Sequence, residues 1–109
     1  MTENFIRLKQ TFLNGIPNRL ARINALTAAC IGQGSAFQAD NIDQLHRELH
    51  KLSGAAACYQ CHEIGSAAEA CESWLEAYMI HDTPLTEHTS LQFLEKLETL
   101  KQMCVAASA

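Results

Sequence analysis

The sequence predicts an all-α protein: an antiparallel up-down-up-down four-helix bundle with a short N-terminal helix. Three observations lead there. Hydrophobic residues make up 48% of the 109 residues but aromatics only 6%, with two prolines. This mixture, rich in Ala and Leu, favours helices packed on helices over a sheet. Apolar residues recur at steps of three and four along most of the chain. The breaks between these runs are short, which forces neighbouring helices to run antiparallel. The length fits a single domain over residues 1–109 with one modest core.

Taken in order, Thr2 caps a short helix with Phe5, Leu8 and Phe12 at helical spacing, until Asn14, Gly15 and Pro17 interrupt it. A second helix carries Ile16, Leu20, Ile23, Leu26 or Thr27, and Cys30, and ends around Gly32 and Gly34. Residues 32–40 read as a loop. Asn41 with Gln44 resembles a capping box, and behind it Ile42, Leu45, Leu49, Leu52, Ala56 and Tyr59 form the clearest apolar stripe in the chain. After a break at residues 60–62, Ile64, Ala67 or Ala68, Cys71, Leu75 and Tyr78 continue the rhythm, which implies a helical hairpin. Thr83 and Pro84 read as an N-cap and first helical position. The last helix is expected to bury Leu91, Leu94, Leu97, Leu100 and Cys104.

A formal net charge of −4 argues against nucleic acid as a partner, because that surface needs clustered Lys and Arg. No apolar run is long enough for a signal peptide or a membrane span, so the expected location is the cytoplasm. Five cysteines, an odd number in such a chain, fit reduced thiols better than a disulfide framework. Cys30 and Cys71 fall at core spacings.

On a wheel of 100° per residue the third helix centres its stripe near Leu49 and Ala56, which leaves His50 well off the buried centre. Its imidazole is therefore expected in solvent. Towards the C-terminus it is surrounded by Ser53, Gly54 and Ala57, all small, while His46 and Arg47 lie one turn back. A mid-helix glycine costs about 1 kcal/mol relative to alanine. Gly54 points away from the stripe, so we read it as keeping access to His50 open rather than as a packing residue.

The segment His50-Lys51-Leu52-Ser53-Gly54-Ala55-Ala56 resembles the signature of histidine phosphotransfer (HPt) domains, His-x-Leu-Lys-Gly in the middle of a bundle helix. The resemblance extends over nearly the whole chain: Phe12, Ile16, Pro17, Leu20 and Ile23 look like the family's preceding helix, and Ile64, Ala67 and Ala68 like its following one. Two positions depart from the pattern. Ser53 stands where the family has a lysine that steadies the phosphoryl group, with Lys51 as the substitute, and Gln60 stands where a glycine is usual.

The resemblance implies a phosphoryl carrier rather than an independent catalyst. His50 would take the phosphoryl group in line from the phospho-aspartate of a response-regulator receiver domain and hand it to a second one. A sensor or hybrid histidine kinase completes the expected partners, and the chain is expected to act as a monomer. No cofactor of its own is expected, Mg²⁺ being supplied by the receiver, and no Gly-x-x-x-x-Gly-Lys-Ser/Thr nucleotide loop occurs. His46, Arg47, Ser53, Gly54 and Ala57 are the expected partner-binding residues.

A nucleophilic imidazole keeps one nitrogen lone pair free when the other nitrogen donates to a fixed acceptor. His50 lies eleven residues before Cys61 and Glu72 eleven after it, so an antiparallel pair of helices brings them to one height. Glu72 also resembles by position the carboxylate or amide some family members use. It is the candidate Nδ1 partner, the alternative being a solvated surface glutamate.

Two other readings compete. Cys58-Tyr59-Gln60-Cys61-His62 matches the Cys-x-x-Cys-His pattern of c-type haem attachment, and the same Cys58, Cys61 and His62 could supply three zinc ligands. The lack of an export signal and the position at a turn oppose haem, and no second ligand pair supports zinc. His46 and His50 read as a surface pair rather than a chelate, and Trp74 as a packing residue at the bundle edge. Ser53 at the lysine position also fits an HPt-like adaptor that binds a receiver or kinase without accepting phosphate.

Overall fold

Gly15 and Pro17 stop the first amphipathic run, and the chain re-forms a helix at once. In the computed structural model, which describes residues 2–31, 39–81 and 87–108, the elements are α1 (Thr2–Asn14), α2 (Ile16–Ile31), α3 (Ala39–Cys58), α4 (His62–His81) and α5 (Glu87–Ser108). Among the described residues only Gly15 and the turn at 59–61 are not helical. α3 packs most extensively on α4, α4 on α5 and α2 on α3, and α2 meets α5 to close the ring. Trp74, late in α4, meets Gln92 and Phe93, early in α5, as antiparallel neighbours must. This is the all-α bundle that the sequence predicts.

The expected stripes of α2, α3 and α4 form the core: Ile16, Ile23, Thr27 and Cys30, then Ile42, Leu45, Leu49, Leu52 and Ala56, then Ile64, Ala67, Ala68, Cys71, Leu75 and Tyr78 are all buried. Three expectations need correction. Leu91 and Leu94 are exposed, and α5 instead buries Ser90, Phe93, Leu97, Leu100 and Cys104. At 100° per residue Phe93 lies about 40° from Leu97 and Leu91 about 120° away, so the aromatic ring takes the inward place. Leu8 is also exposed, because α1 meets the rest through a narrow aromatic contact in which Tyr59 packs on Phe12 at 5.4 Å and on Phe5 at 6.3 Å. Finally, α3 begins at Ala39, so Asn41 lies inside the helix rather than capping it. Ala39 is a strong helix former and carries the helix back past the expected cap. The expected start at Thr83 and Pro84 lies outside the described residues.

The α3–α4 turn is set by backbone hydrogen bonds. Cys61 N–H donates to Ala56 O at 2.8 Å and Gln60 N–H to Ala57 O at 3.2 Å, the paired bonds of a Schellman cap. The cap needs a left-handed residue, and Gln60 takes it with φ 60°. A left-handed side-chain-bearing residue costs roughly 1–2 kcal/mol, part of which glycine would return as unfolded-state entropy. Gln60→Gly is accordingly expected to stabilise the fold by about 1 kcal/mol. A urea midpoint that rises at constant m-value is the expected result, and a fall would contradict this account.

Burial pushes the Cys71 thiol up to about 12, against a weaker downward pull from Lys96, and pushes Cys30 and Cys104 to about 11. All five cysteines are free thiols, with Cys58 exposed. The unfolded chain releases these buried protons near pH 9 and the folded chain does not, so stability falls as pH climbs from 9 towards 12. At pH 8 iodoacetamide is expected to modify Cys58 in the native protein and to reach Cys30, Cys71 and Cys104 only after denaturant is added. Peptide mass spectrometry reads the difference, and native labelling of Cys71 at the rate of Cys58 would refute it.

Candidate functional site

The Schellman turn fixes α3 against α4, and with it the pairing of their facing polar residues. His50 and Glu72 lie equal distances in sequence from Cys61, as do His46 and Glu76, and both pairs are in contact. His50 Nδ1 lies 2.6 Å from Glu72 Oε2 and His46 Nε2 lies 2.9 Å from Glu76 Oε1. A carboxylate only accepts, so each imidazole nitrogen is the donor. The His50 side chain is 71% exposed and that of Glu72 only 10%. The carboxylate is therefore a fixed, largely dehydrated anchor, and the ring it holds projects into solvent.

Glu72 has further company. Ser53 Oγ lies 3.4 Å from its Oε1 and 3.1 Å from the His50 carbonyl oxygen, and His46 Nε2 lies 3.6 Å from its Oε2. The hydroxyl at the usual lysine position is thus turned onto the anchoring carboxylate. A buried carboxylate is costly unless it is paired, and here a neutral hydroxyl and two imidazoles surround it. The two histidine rings lie nearly parallel, 6.4 Å apart.

The cations expected around His50 are present but engaged. Arg47 pairs with Asp43 one turn back. Lys51 Nζ lies 3.8 Å from Glu48 Oε1, the same oxygen that Arg22 of α2 holds at 2.9 Å. Gly54 and Ala57 are exposed on the C-terminal side, and a Cβ placed on Gly54 would meet nothing within 4 Å. Packing against another element therefore does not explain that glycine. His46, Arg47, His50, Lys51, Glu72 and Glu76 line one shallow recess of about 340 Å³. Glu76 escaped the sequence reading, although it stands four residues after Glu72 on the same helix face and in register with His46.

A family model of the Hpt domain matches residues 7–108, nearly the whole chain. The chain belongs to the Hpt domain family. At family level this carries a histidine phosphotransfer role in two-component signalling, and Hpt domains in general interact with receiver domains and kinases. Comparison with curated proteins and with solved structures gave no match. No helix among the described residues is long and apolar enough to cross a membrane.

The Cys-x-x-Cys-His segment has a structural use in this Hpt fold. Cys58 ends α3, residues 59–61 make the capped turn, and His62 opens α4. Cys61 Sγ donates to Tyr59 O at 3.7 Å, and the Tyr59 ring packs on Phe12. The ligand atoms of Cys58, Cys61 and His62 do not gather into a metal-binding group; among the described residues the group that does is His46, Glu72 and Glu76. Trp74 packs between Tyr78 and Phe93 as an edge residue and donates Nε1–H to Gln92 at 3.3 Å. The side chains of His81 and His88 lie outside the described residues.

With open space at its Cβ position, Gly54→Ala is expected to gain helix propensity without a clash and to stabilise the protein by about 1 kcal/mol. Thermal or urea unfolding checks this. Destabilisation would mean that the glycine serves the fold after all.

Proposed function

We propose that the protein is a phosphoryl carrier of a two-component phosphorelay and that His50 is its phosphoacceptor. The observation that carries this reading is the pairing of an exposed imidazole with a buried carboxylate on one nitrogen only. With Nδ1–H donated to Glu72, the lone pair of Nε2 is free and points to solvent. That lone pair attacks the phosphorus of a receiver's aspartyl phosphate. An N–P bond forms as the P–O bond breaks, and the bonding electrons leave with the aspartate carboxylate. The imidazole becomes cationic, and Glu72 sits at hydrogen-bond distance to balance it. No group of this chain has to move a proton during the step, so the reverse transfer to a second receiver uses the same contacts.

In this reading the receiver brings Mg²⁺ and most of the charge stabilisation, and the chain supplies position. Ser53, Gly54 and Ala57 leave room for the incoming phosphoryl group, His46 and Arg47 border the docking surface, and Lys51 supplies the positive charge usually given by the lysine that Ser53 replaces. The carrier is read as a monomeric cytoplasmic domain that meets receiver domains and a sensor or hybrid kinase, with neither nucleic acid nor membrane involved.

Incubation with a phosphorylated receiver is expected to give the protein an acid-labile, alkali-stable phosphate that is absent from His50→Gln. Lys51→Ala, at an exposed position, is expected to slow transfer several-fold with stability changed by less than about 0.5 kcal/mol. Receiver binding that survives His50→Ala, with no phosphate transferred to the parent protein, would overturn the carrier reading in favour of an adaptor.

A further inference from the structure

The carboxylates of Glu72 and Glu76 stand side by side, four residues apart on α4, and their counter-groups are imidazoles. Among the described residues no Lys or Arg pairs with either: Arg47 is committed to Asp43, and Arg22 and Lys51 to Glu48. Two negative charges therefore share His46, whose Nε2 lies 2.9 Å from Glu76 Oε1 and 3.6 Å from Glu72 Oε2. Ligand atoms of the three residues all lie within 4.8 Å of one another. Neighbouring ligands on tetrahedral zinc are about 3.3 Å apart, a value that the two His46 distances bracket.

The burial gradient suits a site loaded from solvent. Glu72 is held rigidly, the His46 side chain is 23% exposed, and Glu76 is 54% exposed and able to swing. One imidazole nitrogen and two carboxylates fall short of the six to eight oxygens of a calcium site, and the imidazole selects for borderline transition metals over Mg²⁺.

We infer that His46, Glu72 and Glu76 form a binding site for a dication of the Zn²⁺ class, and that its occupancy restrains phosphoryl acceptance at His50. The site has three protein ligands, and water completes the coordination. Binding replaces the His46 Nε2 proton, and the dication neutralises both carboxylates. The restraint follows from a shared atom: Glu72 Oε2 faces the metal ligand His46 and also accepts from His50 Nδ1. A metal on that oxygen draws its electron density away from His50, loosening the hold that orients the ring, and places positive charge at the edge of the docking surface. This regulatory half rests on the phosphocarrier reading; the metal site itself does not.

The test uses chelator-stripped chain without a polyhistidine tag and carrying Cys58→Ser and Cys61→Ser, so that the thiols of the turn cannot take the metal. Calorimetric titration with Zn²⁺ is expected to give one site per chain, with affinity cut about tenfold or more by His46→Gln and by Glu76→Gln. His50→Gln is expected to retain binding, and Mg²⁺ at the same concentration to give no heat. Circular dichroism confirms that each variant keeps its helices. Undiminished Zn²⁺ affinity in both His46→Gln and Glu76→Gln, or binding found only when Cys58 and Cys61 are restored, would overturn the site. For the regulatory half, the transfer rate with Zn²⁺ is divided by the rate without it in each protein. A ratio well below one in the parent and near one in Glu76→Gln is expected, and equal ratios would overturn it. Should the parent accept no phosphate at all, the calorimetry still decides the site, so the two readings fail separately.

Discussion

Three residues of non-helical chain determine how α3 lies against α4, and that alignment decides which polar groups meet. The bonds from Cys61 to Ala56 and from Gln60 to Ala57 close the turn in one geometry, and every pairing along the helices is counted from it. A slip of one residue would shift α4 by about 1.5 Å and rotate its side chains by about 100°. Glu72 would then leave His50, and Glu76 would leave His46. The buried apolar ladder of Leu45, Leu49, Leu52 and Ala56 against Ile64, Ala68, Cys71 and Leu75 holds the same alignment along its length. The polar site is thus a by-product of a register enforced elsewhere.

Within the site, the division of labour follows burial. Glu72 is dehydrated and pinned by three polar neighbours, so it keeps direction; His50 is hydrated and has one anchor, so it keeps reach. An imidazole anchored through one nitrogen can present the other to a partner without a base of its own. Charge balance is local and incomplete, since the two acidic residues of α4 answer to histidines while the nearby cations answer to Asp43 and Glu48. Such a surface is adjustable by whatever positive charge is brought to it.

Much of this was legible in the residues, for reasons that differ by element. The stripe of α3 is plain because Ile42, Leu45, Leu49 and Leu52 each stand between polar neighbours, and α4 keeps the spacing through Ile64, Cys71, Leu75 and Tyr78 although Met79 and Ile80 beside it are exposed. α5 is not, because Leu91 and Leu94 continue the spacing of Leu97 and Leu100 at steps of three, and only the drift of that series around the helix leaves the inward place to Phe93. The contact between His50 and Glu72 could be read because the turn lies midway between them. Glu76 could be found by the same arithmetic, yet a glutamate on a helix surface carries no mark until its partner across the groove is known. The start of α3 lies before Asn41 because a good capping residue does not stop Ala39, a strong helix former, from extending the helix. Glutamine's chemistry does not announce a left-handed backbone, and the one sign of the cap is that Gln60 stands where a glycine is usual.

The shared oxygen of Glu48 has a quiet consequence for the lysine beside His50. Arg22 holds that oxygen closely while Lys51 stands farther off, so the carboxylate stays neutralised whether or not the lysine remains. Lys51 is a cation in reserve: it can swing towards an arriving anion and return, and no orphaned charge is left in the helix groove.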